Sequence, residues 1–205
     1  MDVLLFPLVN VTLFPRTTKP LNIFEPRYLS MVRYSLQSGI PIAIAFIEDA
    51  SSQQNIKVGD HVSFVRPIAG YGNSQIIEDR TNGTLLIFLQ GLGKVKLGAV
   101  KEAGDGFFVC EADSITEDLV VKHEEQNKLS QLQKILVRWI RTHIPDLMQQ
   151  EVFLKNMSGA EEIVGAFGSY LVRDYDLQQM VLEFDDINEK INFLHRLLAS
   201  AEITA

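Results

Sequence analysis

Up to about residue 115 the apolar positions come in short runs and alternations broken by turn residues; from Thr116 onward they recur at spacings of three and four. The first pattern predicts strands and the second helices. Successive strand side chains point to opposite faces, whereas a helix returns to one face about every 3.6 residues. Pro41 to Ile47 is a nearly continuous apolar run, His61 to Val65 alternates, and Ser74 to Glu78 and Thr84 to Gln90 flank Asn82-Gly83. That dipeptide predicts a tight hairpin, since both residues tolerate positive φ. Gly91-Leu92-Gly93 then predicts a turn into a strand over Lys94 to Val100, and Gly104-Asp105-Gly106 a turn into Phe107 to Ala112. Closely spaced hairpins of this kind predict a small barrel or a folded-over sheet.

One early segment departs from this pattern. Between Glu25 and Gly39, Leu29, Val32 and Leu36 make a stripe at helical spacing. Pro26 suits the first helical position and Gly39 a left-handed stop, so one amphipathic helix is expected against the sheet. In the second half, Leu129, Leu132, Leu136 and Trp139/Ile140 predict a helix that Pro145 ends. Ser158 to Glu161 has the form of a capping box, Asp176 to Gln179 has the same form, and Asp186 with Glu189 offers a third. The apolar stripes that follow, among them Ile163, Val164 and Phe167, then Ile187, Ile191 and Leu194, read as core. The fold class is α+β: a β-rich subdomain over residues 1–115 and a helical bundle over 116–205, with Thr116 to Glu125 as the join. No Pro/Gly-rich linker lies there, so the halves are expected to pack together as one domain.

Composition narrows the function. The chain has 205 residues, and no apolar run reaches the roughly 18 that a membrane span needs. The start, Met1 to Pro7, lacks a basic n-region and a long apolar stretch, so no signal peptide is expected. Cys110 is the single cysteine, which rules out an internal disulfide and fits a reducing compartment. A cytoplasmic location is therefore expected. Net charge is −1 up to Ile115 and −6 beyond it. An acidic chain lacks the general attraction that drives phosphate-backbone binding. Lys94-Val95-Lys96 is the densest basic cluster along the sequence, so nucleic acid is not an expected partner.

Catalytic equipment is sparse. Gly91-Leu92-Gly93-Lys94 lacks the glycine spacing and the Ser/Thr of a phosphate loop, which leaves Lys94 as a hairpin lysine. His61, His123, His143 and His195 are scattered, with no zinc-type spacing. No Gly-x-Ser-x-Gly elbow occurs. Cys110 sits inside the apolar stretch Phe107 to Cys110, where an inert buried thiol is the common case. Asp185-Asp186 reads as acids at a helix N-terminus rather than as metal ligands. No metal or cofactor is expected.

The opening carries a resemblance. Phe6-Pro7-Leu8-Val9-Asn10-Val11-Thr12-Leu13-Phe14-Pro15, followed by Lys19-Pro20-Leu21, is similar to the start of the Lon protease N-terminal domain family. Ile23-Phe24-Glu25-Pro26-Arg27-Tyr28 resembles the signature of its stand-alone bacterial members. Lys57 to Asp60, Leu89 to Val95 and Gln179 to Asp185 match later family motifs in the correct order. Arg16 stands where the family often has Gly, and Lys190-Ile191 where it has Arg-Leu. The resemblance implies a PUA-like β-barrel followed by a helical bundle, expected here without the ATPase and protease domains of full-length Lon. The motif residues Phe14, Pro15, Pro20, Glu25, Pro26, Arg27, Tyr28 and Gly91 are expected to be structural. Phe6, Phe14, Phe24 and Tyr28 would fill the barrel–helix core, Gly91 would supply a turn, and Glu25 with Arg27 would form a fixed pair or a polar recognition point.

The function this implies is non-catalytic recognition of proteins or unfolded polypeptide segments, through a sheet edge or an apolar groove between the halves. A weak homo-oligomer is compatible with it. Two alternatives remain at this level: a small hydrolase using Cys110 and a histidine, for which an exposed thiol beside an imidazole would speak, and an RNA-binding PUA-like module, by analogy of fold.

Overall fold

The computed structural model describes residues 1–47, 57–102 and 106–198. The chain divides into two compact units, Met1–Ile115 and Thr116–Ala205. The first contains β1 (Asp2–Val9), β2 (Thr18–Ile23), α1 (Pro26–Ser38), β3 (Ile42–Ile47), β4 (Ile68–Asp79), β5 (Leu85–Glu102) and β6 (Phe108–Ile115). The strand order is β2-β5-β4-β3-β1-β6, and β6 pairs back onto β5. Five strands thus close a ring, and β2 hangs from β5 as the terminal strand. Among the described strands only β1 and β3 run parallel; a parallel pair needs a crossover, and α1 lies within it.

The alternation of side chains builds two cores. Val3, Leu5, Ala43, Ala45, Ile47, Val95, Leu97, Cys110 and Ala112 cluster on one face of the sheet. The intervening Leu4, Phe6, Ile42 and Ile44 cluster on the other with Leu85, Ile87, Leu89 and Val109, closed by Tyr28, Met31 and Val32 of α1. Every residue of β3 is buried, which accounts for its unbroken apolar run.

Several sequence expectations change here. Gly91-Leu92-Gly93 is not a turn: β5 runs straight through it, and Lys94 is a mid-strand residue only 1 % exposed. The glycines serve close approach instead. A Cβ on Gly91 would stand 2.1 Å from the Phe14 carbonyl oxygen, and one on Gly70 only 1.8 Å from that of Leu13. The loop between β1 and β2 lies directly against the β4–β5 backbone at these positions. The Arg16 N–H donates to Gly91 O at 3.0 Å, and the Gly91 N–H donates to Thr17 O at 2.8 Å. Arg16 itself has φ +60°, so the residue standing in the family's glycine place takes a left-handed conformation.

The Asn82-Gly83 hairpin forms, with Gly83 at φ +82° and the Arg80 N–H donating to Thr84 O. His61 to Val65 is not a strand; it contributes only the isolated bridges His61–Ala99 and Ile47–Val65. Gly104 and Asp105 of the expected third turn lie outside the described residues. α1 begins with Pro26 in its first turn and ends at Gly39, φ +75°. Its buried face is Tyr28, Met31, Val32 and Ser35, and Leu36 is exposed, so the stripe is rotated from the expected one.

The second unit contains α2 (Gln126–His143), α3 (Leu147–Lys155), α4 (Ala160–Tyr170), α5 (Tyr175–Glu183) and α6 (Ile187–Leu197). Leu132, Leu136 and Ile140 of α2, Ile163, Val164 and Phe167 of α4, and Ile187, Ile191 and Leu194 of α6 are buried, as their spacing predicts. α2 stops before Pro145, but α3 then starts at once, a helix the sequence reading did not anticipate; the Asp146 carboxylate caps it by accepting from the Met148 and Gln149 N–H groups. Two expected caps are displaced. Gly159, not Ser158, is the N-cap of α4, and Ser158 makes no cap hydrogen bond. Asp174, not Asp176, caps α5, accepting from the Leu177 N–H at 3.0 Å. Asp186 caps α6 as expected, accepting from the Asn188 N–H at 2.7 Å.

The residues after β6 are fastened to the start of α6. The Asp118 N–H donates to Asp185 O, and the Ile187 N–H donates to Asp118 O. Beneath this bridge the Lys190 ammonium donates to both Glu117 oxygens at 2.6 Å, with both side chains buried. Lys190, which stands where the resemblance has arginine, thus holds both oxygens of the Glu117 carboxylate.

Two outcomes test this account. Gly70→Ala should destabilise the protein by about 3 kcal/mol in urea denaturation, because backbone must shift. Gly83→Ala, where a Cβ meets open space but φ is positive, should cost about 1 kcal/mol. For the caps, Ser158→Ala should leave the midpoint unchanged, while Asp186→Ala should cost about 1 kcal/mol. The backbone N–H of Asn188, first among several causes, holds the Asp186 carboxyl below its ordinary titration range. The stability it supplies is therefore complete above the unfolded value and lost as pH falls through the depressed folded one. The gap between Asp186→Ala and the parent should close over that acidic window.

Candidate functional site

The family-motif residues gather at two places in the first unit. At the first, Phe14 and Pro15 are buried beside Gly91 in the loop that lies on β4 and β5. At the second, the start of α1, the Arg27 guanidinium pairs with Glu25 at 2.9 Å and lies 4.5 Å above the Tyr28 ring. Tyr28 is buried, its ring centroid 4.5 Å from that of Phe6, and burial raises its phenol above the ordinary range. Pro26 occupies the first turn of α1, and Pro20 is exposed at the middle of β2. Phe24 does not join the core: it is 69 % exposed, next to the Glu25–Arg27 pair. Phe14, Pro15, Tyr28 and Gly91 are thus buried, while Phe24, Glu25 and Arg27 make an apolar and polar point on the surface where α1 begins.

The reactive groups are placed for structure. Cys110 is buried in a core cluster, its thiol donating to Gly98 O at 3.4 Å, and burial pushes it up to about 11. His143 Nδ1 meets Trp139 O at 2.9 Å on α2, and His195 Nε2 meets Gln131 Oε1 at 2.8 Å. Among the described residues no three His, Cys, Asp or Glu side chains gather as a metal site. No described helix is long and apolar enough to cross a membrane.

The feature that sequence reasoning missed is α3. None of its nine residues is buried, although Leu147, Met148, Val152, Phe153 and Leu154 are apolar. Phe153 turns inward, edge-on to Tyr170 at 5.5 Å, which in turn stacks on Trp139 at 5.5 Å. That anchor leaves Leu147, Met148 and Val152 outward, 73 %, 78 % and 62 % exposed. Three large apolar side chains concentrated on one short helix form an exposed apolar patch, unlike apolar residues scattered singly over a surface. The signal in the sequence was the Asp146 cap followed by apolar residues without a buried-stripe spacing.

Known proteins agree with the fold. The model of the ATP-dependent protease La (LON) substrate-binding domain matches residues 2–200. The chain belongs to this family. The Lon domain type is a non-catalytic, substrate-binding one, and the α+β fold is that of the Lon N-terminal domain. Among solved structures, a Lon N-terminal domain protein from Xanthomonas campestris is similar over 97 % of this chain and 98 % of its own, with TM-score 0.66 and 18 % identity. The N-terminal domain of a Mycobacterium avium complex Lon protease is similar over 98 % of this chain and 100 % of its own, with TM-score 0.71 and 12 % identity. No curated protein matches the sequence.

A Lon-type domain with an inert cysteine makes a chemical prediction. Native protein at mildly alkaline pH should leave Cys110 unlabelled by a thiol reagent over minutes, whereas urea-unfolded protein should react at once. Rapid stoichiometric labelling of the native chain would show an accessible thiolate.

Proposed function

We propose that this Lon-type domain binds exposed, apolar segments of polypeptide without catalysing a reaction on them, and that α3 carries the main contact. The observation behind this is the outward set Leu147, Met148 and Val152 on a helix with no buried residue. Methionine suits such a surface because its flexible thioether adapts to varied side chains. The terminal strand β2 is a weaker candidate, since Pro20 at its centre removes an N–H that an added strand would need. Binding by apolar contact must offset the ordering of a flexible ligand, so affinity should be micromolar or weaker.

The hydrolase alternative loses its nucleophile, because a buried thiol held protonated cannot attack a substrate. The RNA alternative is opposed by the chain's net charge of −7. A cytoplasmic site of action, with protein partners rather than membrane or nucleic acid, fits the single free thiol and the absence of a membrane-spanning helix among the described residues.

The test is a titration with a permanently unfolded protein and its folded parent. The unfolded form should bind at least several-fold tighter, with little change between low and high salt. Replacing Leu147, Met148 and Val152 together by serine should remove most of the binding while the thermal midpoint stays within a few degrees. Equal binding by the serine variant would defeat the assignment to α3.

A further inference from the structure

α2 differs in charge from the unit that contains it. From Thr116 onward the chain carries 9 Lys/Arg against 15 Asp/Glu, yet α2 holds Lys128, Lys134, Arg138 and Arg141 and not one carboxylate in its 18 residues. Reading along the sequence finds no basic cluster there, because these cations are never adjacent. The helix aligns them: Lys134, Arg138 and Arg141 follow at spacings of four and three, on one face over about 10 Å.

Three observations mark that face as a site. A shallow, open groove of ≈ 510 Å³ lies on it, walled by α2 alone: the three cations together with Ser130, Gln133, Val137 and Thr142. All three cations are exposed, and none forms an ion pair with a described residue. Lys122, Lys128 and Lys190 of the same unit each meet a carboxylate, Asp186, Glu125 and Glu117 respectively, while the exposed Lys155 and Arg196 stand singly at the ends of α3 and α6 rather than in a row. Like charges at these spacings also oppose helix formation. The negative end of the helix dipole offsets this for Arg141 in the last turn, but not for Lys134 or Arg138 further back. A helix in a carboxylate-rich unit that keeps three unneutralised cations in one groove gains no folding stability from them.

We propose that this face of α2 is a docking groove for acidic segments of polypeptide. The inference rests on the polypeptide-binding reading above for the class of its ligand, and adds a charge preference at a different helix. A span of about 10 Å matches two or three carboxylates on a short segment. Half-buried Val137 between the cations gives such a segment an apolar contact, which a bare phosphate backbone would not use. A long polyanion would also meet the surrounding carboxylates of the unit. An acidic segment would be held by Arg138 and Arg141, whose guanidinium forks suit carboxylates, with Lys134 as a point charge.

The full chain provides the test. A short fluorescent peptide alternating glutamate and serine is titrated beside its glutamine counterpart and a single-stranded thymidine oligonucleotide of equal charge. The glutamate peptide should bind tightest, and high salt should weaken it. The combined variant K134E/R138E/R141E should weaken it on the order of tenfold or more, the sum of three exposed ion pairs lost and reversed. A control of equal net charge, K57E/K96E/R196E, should change it less than about twofold, because charge outside the groove is screened. Circular dichroism of both variants establishes that they fold. The serine variant of α3 should bind the glutamate peptide as the parent does, so a failed apolar site and a failed cationic groove give different patterns. Equal losses in the two charge variants would overturn the proposal, as would tighter binding of the glutamine peptide or the oligonucleotide. Self-association of the chain that only the α2 variant abolishes would assign the groove to a second copy and overturn it too.

Discussion

The carbonyl oxygens of Leu13 and Phe14 stand in the space that side chains at positions 70 and 91 would fill. Much of the first unit follows from that contact. The loop can cross the sheet this closely only because β4 and β5 expose bare backbone there, and in doing so it buries Leu13 and Phe14. The same hydrogen bonds between Arg16, Thr17 and Gly91 set where β2 begins, and so its register on β5 from Thr18–Gln90 to Ile23–Leu85. β5 must then be long, since one half serves β2 and the other half closes the ring through β6. A single steric allowance thus links the loop, the terminal strand and the closure of the barrel.

In the second unit, a buried charged pair joins the hydrogen bonds that hold the segment leading into the helices. Segment 117–122 has no helix or strand of its own. It is held by backbone bonds to Asp185 and Ile187, by the Asn188 amide, which donates to Val120 O and accepts from the Lys122 N–H, and by the Lys190–Glu117 pair. Buried ion pairs add little net stability, but removing one partner strands the other charge and is costly. They therefore fix an arrangement more than they strengthen it. Here the pair fixes segment 117–122 against the start of α6 within the second unit.

The sequence carried the fold well where one periodicity dominated. β3 as an apolar run, the Asn82-Gly83 hairpin, α1 between Pro26 and Gly39, and the buried stripes of α2, α4 and α6 were all legible, because each depends on local pattern or backbone conformation. The misreadings have a common cause. Glycine at 91 and 93 signals a turn or a close neighbour equally, and only the partner loop decides. A capping box at Ser158 and the cap at Gly159 differ by one residue, which the sequence alone does not resolve. The same holds for the surfaces. Phe24 and α3 carry the apolar composition of buried segments, and their exposure depends on what packs elsewhere. The cations of α2 become a stripe only once the helix is drawn. The family motifs, in contrast, fall partly on buried residues such as Phe14, Pro15 and Tyr28 and partly on the surface residues Phe24, Glu25 and Arg27.

Pro20 at the midpoint of the terminal strand bears on a hazard that the proposed capture of unfolded segments would bring. A protein with that role would spend its time beside segments with unsatisfied backbone groups, the material from which cross-β aggregates grow. An open strand edge would template them, and the captured segment would zip onto the sheet through a ladder of bonds that releases slowly. A missing donor in the middle of that edge interrupts the ladder before it can propagate. Under the proposed reading, ligands would be gripped through side chains on helices, where contacts form and break one at a time. Reversibility, rather than tight hold, is what such an edge would preserve.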